Sequence, residues 1–139
     1  MNSALRQTAD VVCLVDDDAS IRRSISRMLK LDGVSVRAFS EAEEFLTYLG
    51  ANMVHLAILD IWMEPMTGLD LLAHLCARSP QTRVIFITAQ EDEAAERTVK
   101  QAGAYAFFMK PFDENEFLRT VHRALGHSGA DAKPEGQEE

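Results

Sequence analysis

Cysteine is scarce in this chain: two among 139 residues, Cys13 and Cys76, with no CxxC spacing. That excludes a disulfide framework or a cysteine-built metal centre. Both thiols are expected to be buried and reduced, Cys13 in an apolar run and Cys76 in an apolar helical pattern. Long hydrophobic runs are missing too. None approaches the roughly 20 residues of a membrane span, and the opening MNSALRQTAD lacks the apolar core of a signal peptide. The sequence therefore reads as cytoplasmic, with no membrane partner. Positive charge is the minority, 14 Lys and Arg against 22 Asp and Glu, for a net charge of −8. Such a balance argues against a nucleic-acid surface on this chain. Part of the acidity lies at the end, where HSGADAKPEGQEE, residues 127–139, carries four acids and one lysine. With no apolar side chain larger than alanine, it reads as a disordered acidic tail or linker. Residues 1–9 form an N-terminal extension, leaving 10–126 as one domain.

Hydrophobic content is ample, at 47%. Five apolar runs alternate with five helical patterns, labelled β1 to β5 and α1 to α5 in chain order. The strand candidates are 11–16, 34–38, 54–59, 83–87 and 104–109. VVCLV, HLAIL and VIFI are nearly continuous apolar runs, as parallel strands covered on both faces require. In α1, Ile21, Ile25, Met28 and Leu29 keep helical spacing, with Arg22, Arg23, Arg27 and Lys30 as a solvated face. Ser40 and Glu43 read as a capping box opening α2. Leu69, Leu72, Leu75 and Cys76 mark α3, which Pro80 ends. The fourth helix, about 91–102, has a thin stripe of Ala95, Val99 and Ala102. Asp113 and Glu116 open α5, whose stripe is Phe117, Val121 and Leu125. Strict βα alternation predicts an α/β, doubly wound parallel sheet with right-handed crossovers, and ligands in such sheets bind beyond the carboxyl ends of the strands.

Those strand ends carry the chemistry. Asp16, Asp17 and Asp18 follow β1, Asp60 follows β3, Thr88 follows β4 and Lys110 follows β5. At an effective dielectric of about 20, two unit charges 4 Å apart repel by about 4 kcal/mol. The usual use for such a cluster is a bound cation. Carboxylates suit Mg²⁺, which keeps several waters and often contacts a phosphate. A lysine and a threonine hydroxyl suit phosphoryl oxygens, and a carboxylate can itself be the nucleophile, forming an aspartyl phosphate. Asp18, at a helix start, reads as an N-cap.

The ordered set resembles the receiver domain of bacterial two-component response regulators. Its pieces are Asp16–Asp17, Asp60 in DxxM, Gly68 eight residues later, Thr88–Ala89 and Lys110–Pro111 before Phe112. The resemblance implies a flavodoxin-like (βα)5 sheet with strand order 2-1-3-4-5. It implies that Asp60 is the phosphoacceptor, and that Asp17, Asp60 and the backbone carbonyl of Trp62 hold Mg²⁺, with Asp16 acting directly or through water. Lys110 and Thr88 would hold the phosphoryl group, and the Lys110–Pro111 bond would be cis. Phe107 matches the family's aromatic switch position, though an aromatic residue there also suits a core. Trp62 and Gln90 match the positions that flank the water hydrolysing the aspartyl phosphate. The implied partners are a histidine kinase or histidine phosphotransfer protein, then an effector or a second copy through an α4–β5–α5 face. The implied role is signalling, with the domain catalysing only its own phosphorylation and slow dephosphorylation. One departure stands out: proline sits at Pro65 rather than directly after Met63, leaving Glu64 without a role.

Two other readings compete. Asp16-Asp17-Asp18-Ala19-Ser20 also resembles the DxDxS motif of haloacid-dehalogenase-type phosphohydrolases, with Asp16 as nucleophile, but the later acidic motif of that family is missing and Asp60 is left unexplained. A binding module that no longer accepts phosphate is the other, and the intact acceptor, lysine and threonine count against it. His55, His74, His122 and His127 show no ligand spacing and read as surface or packing residues. No helix-turn-helix pattern follows residue 126, so a stand-alone receiver or a piece of a longer protein is expected.

Overall fold

The computed structural model describes residues 10–127; the proposed extension 1–9 and most of the proposed tail lie outside them. His127 is described, and its backbone N–H donates to the His122 carbonyl at 2.9 Å. The strands are β1 (Val12–Val15), β2 (Val36–Phe39), β3 (Leu56–Asp60), β4 (Arg83–Thr88) and β5 (Ala106–Met109). They form one parallel sheet in the order β2-β1-β3-β4-β5, as expected. Each strand is followed by a helix: α1 (Ala19–Leu31), α2 (Ala42–Leu49), α3 (Gly68–Arg78), α4 (Glu93–Gln101) and α5 (Glu114–Ala124).

Because side chains alternate along a strand, the apolar runs split between two cores. Cys13, Val15, Ala57, Leu59, Val84 and Phe86 face Phe45 of α2, Leu71 and Leu75 of α3 and Val99 of α4. Val12, Leu14, Leu56, Ile58, Ile85 and Ile87 face Ile25 and Leu29 of α1 and Phe117 and Val121 of α5. Central strands covered on both sides cannot show polar alternation, which is why they read as continuous apolar runs.

Helix ends depart from the sequence reading in places. The proposed Ser40–Glu43 capping box does not form. Helix α2 starts a residue later, with Glu41 as N-cap and no side-chain cap bond, and Glu43 and Glu44 in its first turn complement the helix dipole instead. The capping box lies on α3, where Asp70 N–H donates to Thr67 Oγ1 and Thr67 N–H donates to Asp70 Oδ2. Cys76 is exposed, not buried. The inward face of α3 is Gly68, Leu71, Leu72 and Leu75, and the residue after Leu75 turns about 100° away from it. Helix α4 buries only Ala95 and Val99, since Ala102 lies past its end and is exposed.

Candidate functional site

Strand register assembles the site. Val15 of β1 pairs with Leu59 of β3, so Asp16 and Asp60 leave the sheet in step. Thr88 ends β4 opposite Met109, and Lys110 follows. The backbone N–H of Lys110 donates to the Thr88 carbonyl at 2.8 Å, tying the phosphate-holding candidates of two strands together. Lys110–Pro111 is cis, and so is Glu64–Pro65.

Asp16, Asp17 and Asp60 each offer a carboxylate oxygen within 4.8 Å of the others. Asp16 is buried, with Oδ1 accepting the Asp18 N–H at 2.9 Å and Oδ2 left without any hydrogen-bond partner. Lys110 Nζ stands 3.8 Å from that oxygen, an ion pair too long to be a hydrogen bond. Burial raises the Asp16 carboxyl above its ordinary range. Asp60, also buried, accepts only the Trp62 N–H, at 3.3 Å. Burial, reinforced by the charge of Asp16, pushes its carboxyl up to about 6. Three clustered carboxylates, one with a buried oxygen that nothing satisfies, are the hard donor set of an octahedral divalent cation; the residues fit Mg²⁺.

Asp18 does what a helix-start aspartate should. Its Oδ1 accepts from Ser20 and Ile21 N–H and from the Ser20 hydroxyl, and these bonds hold its carboxyl below the usual range. Thr88 is buried, with its Oγ1 3.2 Å from Gln90 N and 3.4 Å from Gln90 O. Trp62 is 39% exposed and Gln90 is exposed. Phe107 is half-buried against the α2–α3–α4 core, beside Phe86 in register.

Gly68 explains the fixed spacing from Asp60. A Cβ there would stand 2.4 Å from the Asp60 carbonyl oxygen and 2.9 Å from Ile61 Cα, so only glycine lets α3 begin against the acceptor segment. Glu64 is exposed and is not one of the clustered carboxylates. One participant was misread: Arg22, assigned to a solvated face, donates from Nη1 to the Asp16 carbonyl at 2.7 Å. Its position six residues past Asp16, nearly two helical turns, carries no signal separating it from Arg23 and Arg27.

The fold and site together define a doubly wound α/β domain with clustered carboxylates, a threonine and a lysine at the carboxyl ends of its strands. The family profile of the response regulator receiver domain matches residues 12–122, and the chain belongs to that family. It is 35% identical over 127 residues to the DNA-binding transcriptional regulator NtrC of Proteus hauseri, covering 91% of this chain and 27% of that protein. It is also 35% identical over 117 residues to the response regulator protein TodT of Pseudomonas putida, covering 84% and 52%. The chain thus spans between about a quarter and a half of these relatives. Among solved structures, a CheY-like receiver domain from Methanospirillum hungatei superposes with a TM-score of 0.79 at 27% identity, covering 85% of this chain and 94% of that one. Family membership sets aside the phosphohydrolase reading that made Asp16 a nucleophile.

Proposed function

We propose that this receiver accepts a phosphoryl group on Asp60 from the phosphohistidine of a histidine kinase or a histidine phosphotransfer protein. One observation carries the reading: Asp60 shares a cluster with Asp16, whose buried Oδ2 has no hydrogen-bond partner and only the Lys110 ammonium 3.8 Å away, an oxygen better suited to a ligand than to the fold. Asp17, Asp60, the Trp62 carbonyl and Asp16, directly or through water, would hold Mg²⁺. The bound ion would neutralise the carboxylates and the incoming phosphoryl oxygens. An Asp60 carboxylate oxygen attacks phosphorus, the P–N bond breaks, and its electron pair stays on the donor imidazole. Lys110 offsets the charge of the transferred group, and the Thr88 hydroxyl donates to one of its oxygens.

Readout is proposed through the α4–β5–α5 face. Thr88 moves toward the phosphoryl group, Phe107 turns into the vacated space, and the face rearranges to meet an effector or a second copy of the chain. The two-residue buried stripe of α4 and the half-buried β5 support this, because weakly packed elements are the ones that shift. No described helix is long and apolar enough to cross a membrane; the cytoplasmic location proposed for the domain rests on its proposed partner, a histidine kinase or phosphotransfer protein. The domain signals, and catalyses only its own phosphorylation and slow dephosphorylation.

Incubation with Mg²⁺ and acetyl phosphate or phosphoramidate, followed by intact mass, tests the proposal. One phosphoryl addition is expected, absent without a divalent cation and absent in Asp60→Asn. Undiminished labelling of a folded Asp60→Asn variant overturns the assignment.

A further inference from the structure

Away from the acidic cluster, two histidines face each other across the exit of α5. His122, in the last turn of the helix, and His127, just past its end, bring their Nδ1 atoms to 2.7 Å. Each ring is backed by a carboxylate on its far side: His122 Nε2 lies 2.7 Å from Asp32 Oδ2, and His127 Nε2 lies 2.5 Å from Asp10 Oδ2. The row Asp32–His122–His127–Asp10 joins the turn after α1, the end of α5 and the residue leading toward β1.

Proton counting fixes the state of this row. An ionised carboxylate only accepts, so both Nε2 atoms must carry hydrogen. Two facing Nδ1 atoms at 2.7 Å bond only when one carries hydrogen and the other offers a lone pair. The four ring nitrogens therefore hold three hydrogens, one imidazolium and one neutral imidazole. A second proton sets two cations and two N–H groups against each other. Loss of the first leaves either two lone pairs in contact or a carboxylate without its donor.

We propose that His122 and His127 share a single proton, and that this proton clasps the exit of α5 to Asp32 and Asp10 over a bounded pH range. Other charged groups border the row without entering it. Arg119 lines the same hollow as Asp32 and His122, Arg37 lines a hollow with Asp10, and Arg123 is turned onto Thr120 Oγ1. Arg23, Arg27 and Glu114 share the α1–α5 cleft with Asp32. A zinc ion fits less well. Two nitrogens at 2.0–2.1 Å from a tetrahedral ion stand about 3.3 Å apart. No third side-chain donor of that kind joins the two Nδ1 atoms among the described residues.

Side-chain nitrogen NMR of the full chain between pH 5 and pH 9 tests the clasp. The pair should lose its two protons in steps at least about two pH units apart, a coupling of about 100-fold, with the His127 amide most protected on the plateau between them. His127→Gln, at the domain's edge, should collapse the two steps to one. The proposal is overturned if His122 and His127 titrate within half a pH unit of each other. Micromolar Zn²⁺ binding through both Nδ1 atoms overturns it as well.

Discussion

Strands β3 and β5 each deliver one charged residue to the same site, yet they are built differently. Every residue of β3 is buried, while β5 runs half-buried, half-buried, half-buried, exposed. The proposed acceptor Asp60 thus projects from a fully packed strand between two neighbours, and Lys110 from an edge strand beside the thinly packed α4. Chemistry needs an acceptor held still, whereas a signal needs an element able to move. On the proposed function, the domain separates the two across its sheet.

Register neighbours give the most direct way to break that contrast. Phe86 of β4 is wholly buried and Phe107 of β5 is not. Phe86→Ala should cost about 3–5 kcal/mol in urea denaturation, and Phe107→Ala roughly half that or less. Equal losses would show β5 to be as rigid as the centre.

The electrostatic side of the contrast is next in size. Asp60 is pushed from an ordinary 3.8 up to about 6, so between those values the folded chain holds more protons than the unfolded one. Without a divalent cation, stability should therefore fall as pH rises from about 4 to about 6, and stay low above that range. The difference corresponds to about 3 kcal/mol. Asp60→Asn should recover that stability at pH 7, and Mg²⁺ should stabilise wild type but not the variant. A flat pH profile in the absence of Mg²⁺ would remove the claim that burying the Asp60 carboxyl beside Asp16 costs the fold stability.

Gly68 tests the rigidity of the acceptor segment itself. Gly68→Ala drives a methyl against the Asp60 carbonyl, and a cost of roughly 2 kcal/mol, with slower labelling of Asp60, is expected. The smallest effect concerns the lifetime of the phosphorylated state. If the Trp62 indole hinders a hydrolytic water, Trp62→Asn should lose phosphate about tenfold faster, a change of about 1.4 kcal/mol in barrier. An unchanged decay in excess Mg²⁺ would leave Trp62 as a surface docking residue.

The sequence was most legible where one physical demand acted alone. Buried parallel strands must be apolar throughout, so β1, β3 and β4 stood out, and Asp16, Asp60, Thr88 and Lys110 could be placed at their ends. Where several demands overlap, the reading failed. Arg22 looked like its neighbours because the carbonyl it serves is a backbone atom with no sequence signature. Cys76 shares an apolar pattern with Leu75 but sits a turn angle away from the core. Ser40 and Glu43 have capping spacing, yet the helix begins one residue later. The His122–His127 pair depends on carboxylates 90 and 117 residues away in the chain, beyond any local pattern.

The resting position of Thr88 has a consequence for background signalling. Its hydroxyl is already engaged with the backbone of Gln90, at 3.2 and 3.4 Å, so joining a phosphoryl oxygen means leaving that contact. A neutral hydrogen bond of this kind contributes about 1 kcal/mol. That is a factor of about five in population. Such a latch filters noise without silencing it: held by this contact alone, about one unphosphorylated molecule in six would have Thr88 released at any moment. On the proposed switch, the rest of the restraint falls to the packing of Phe107, and trimming that ring should raise the basal output before it changes the phosphorylated one.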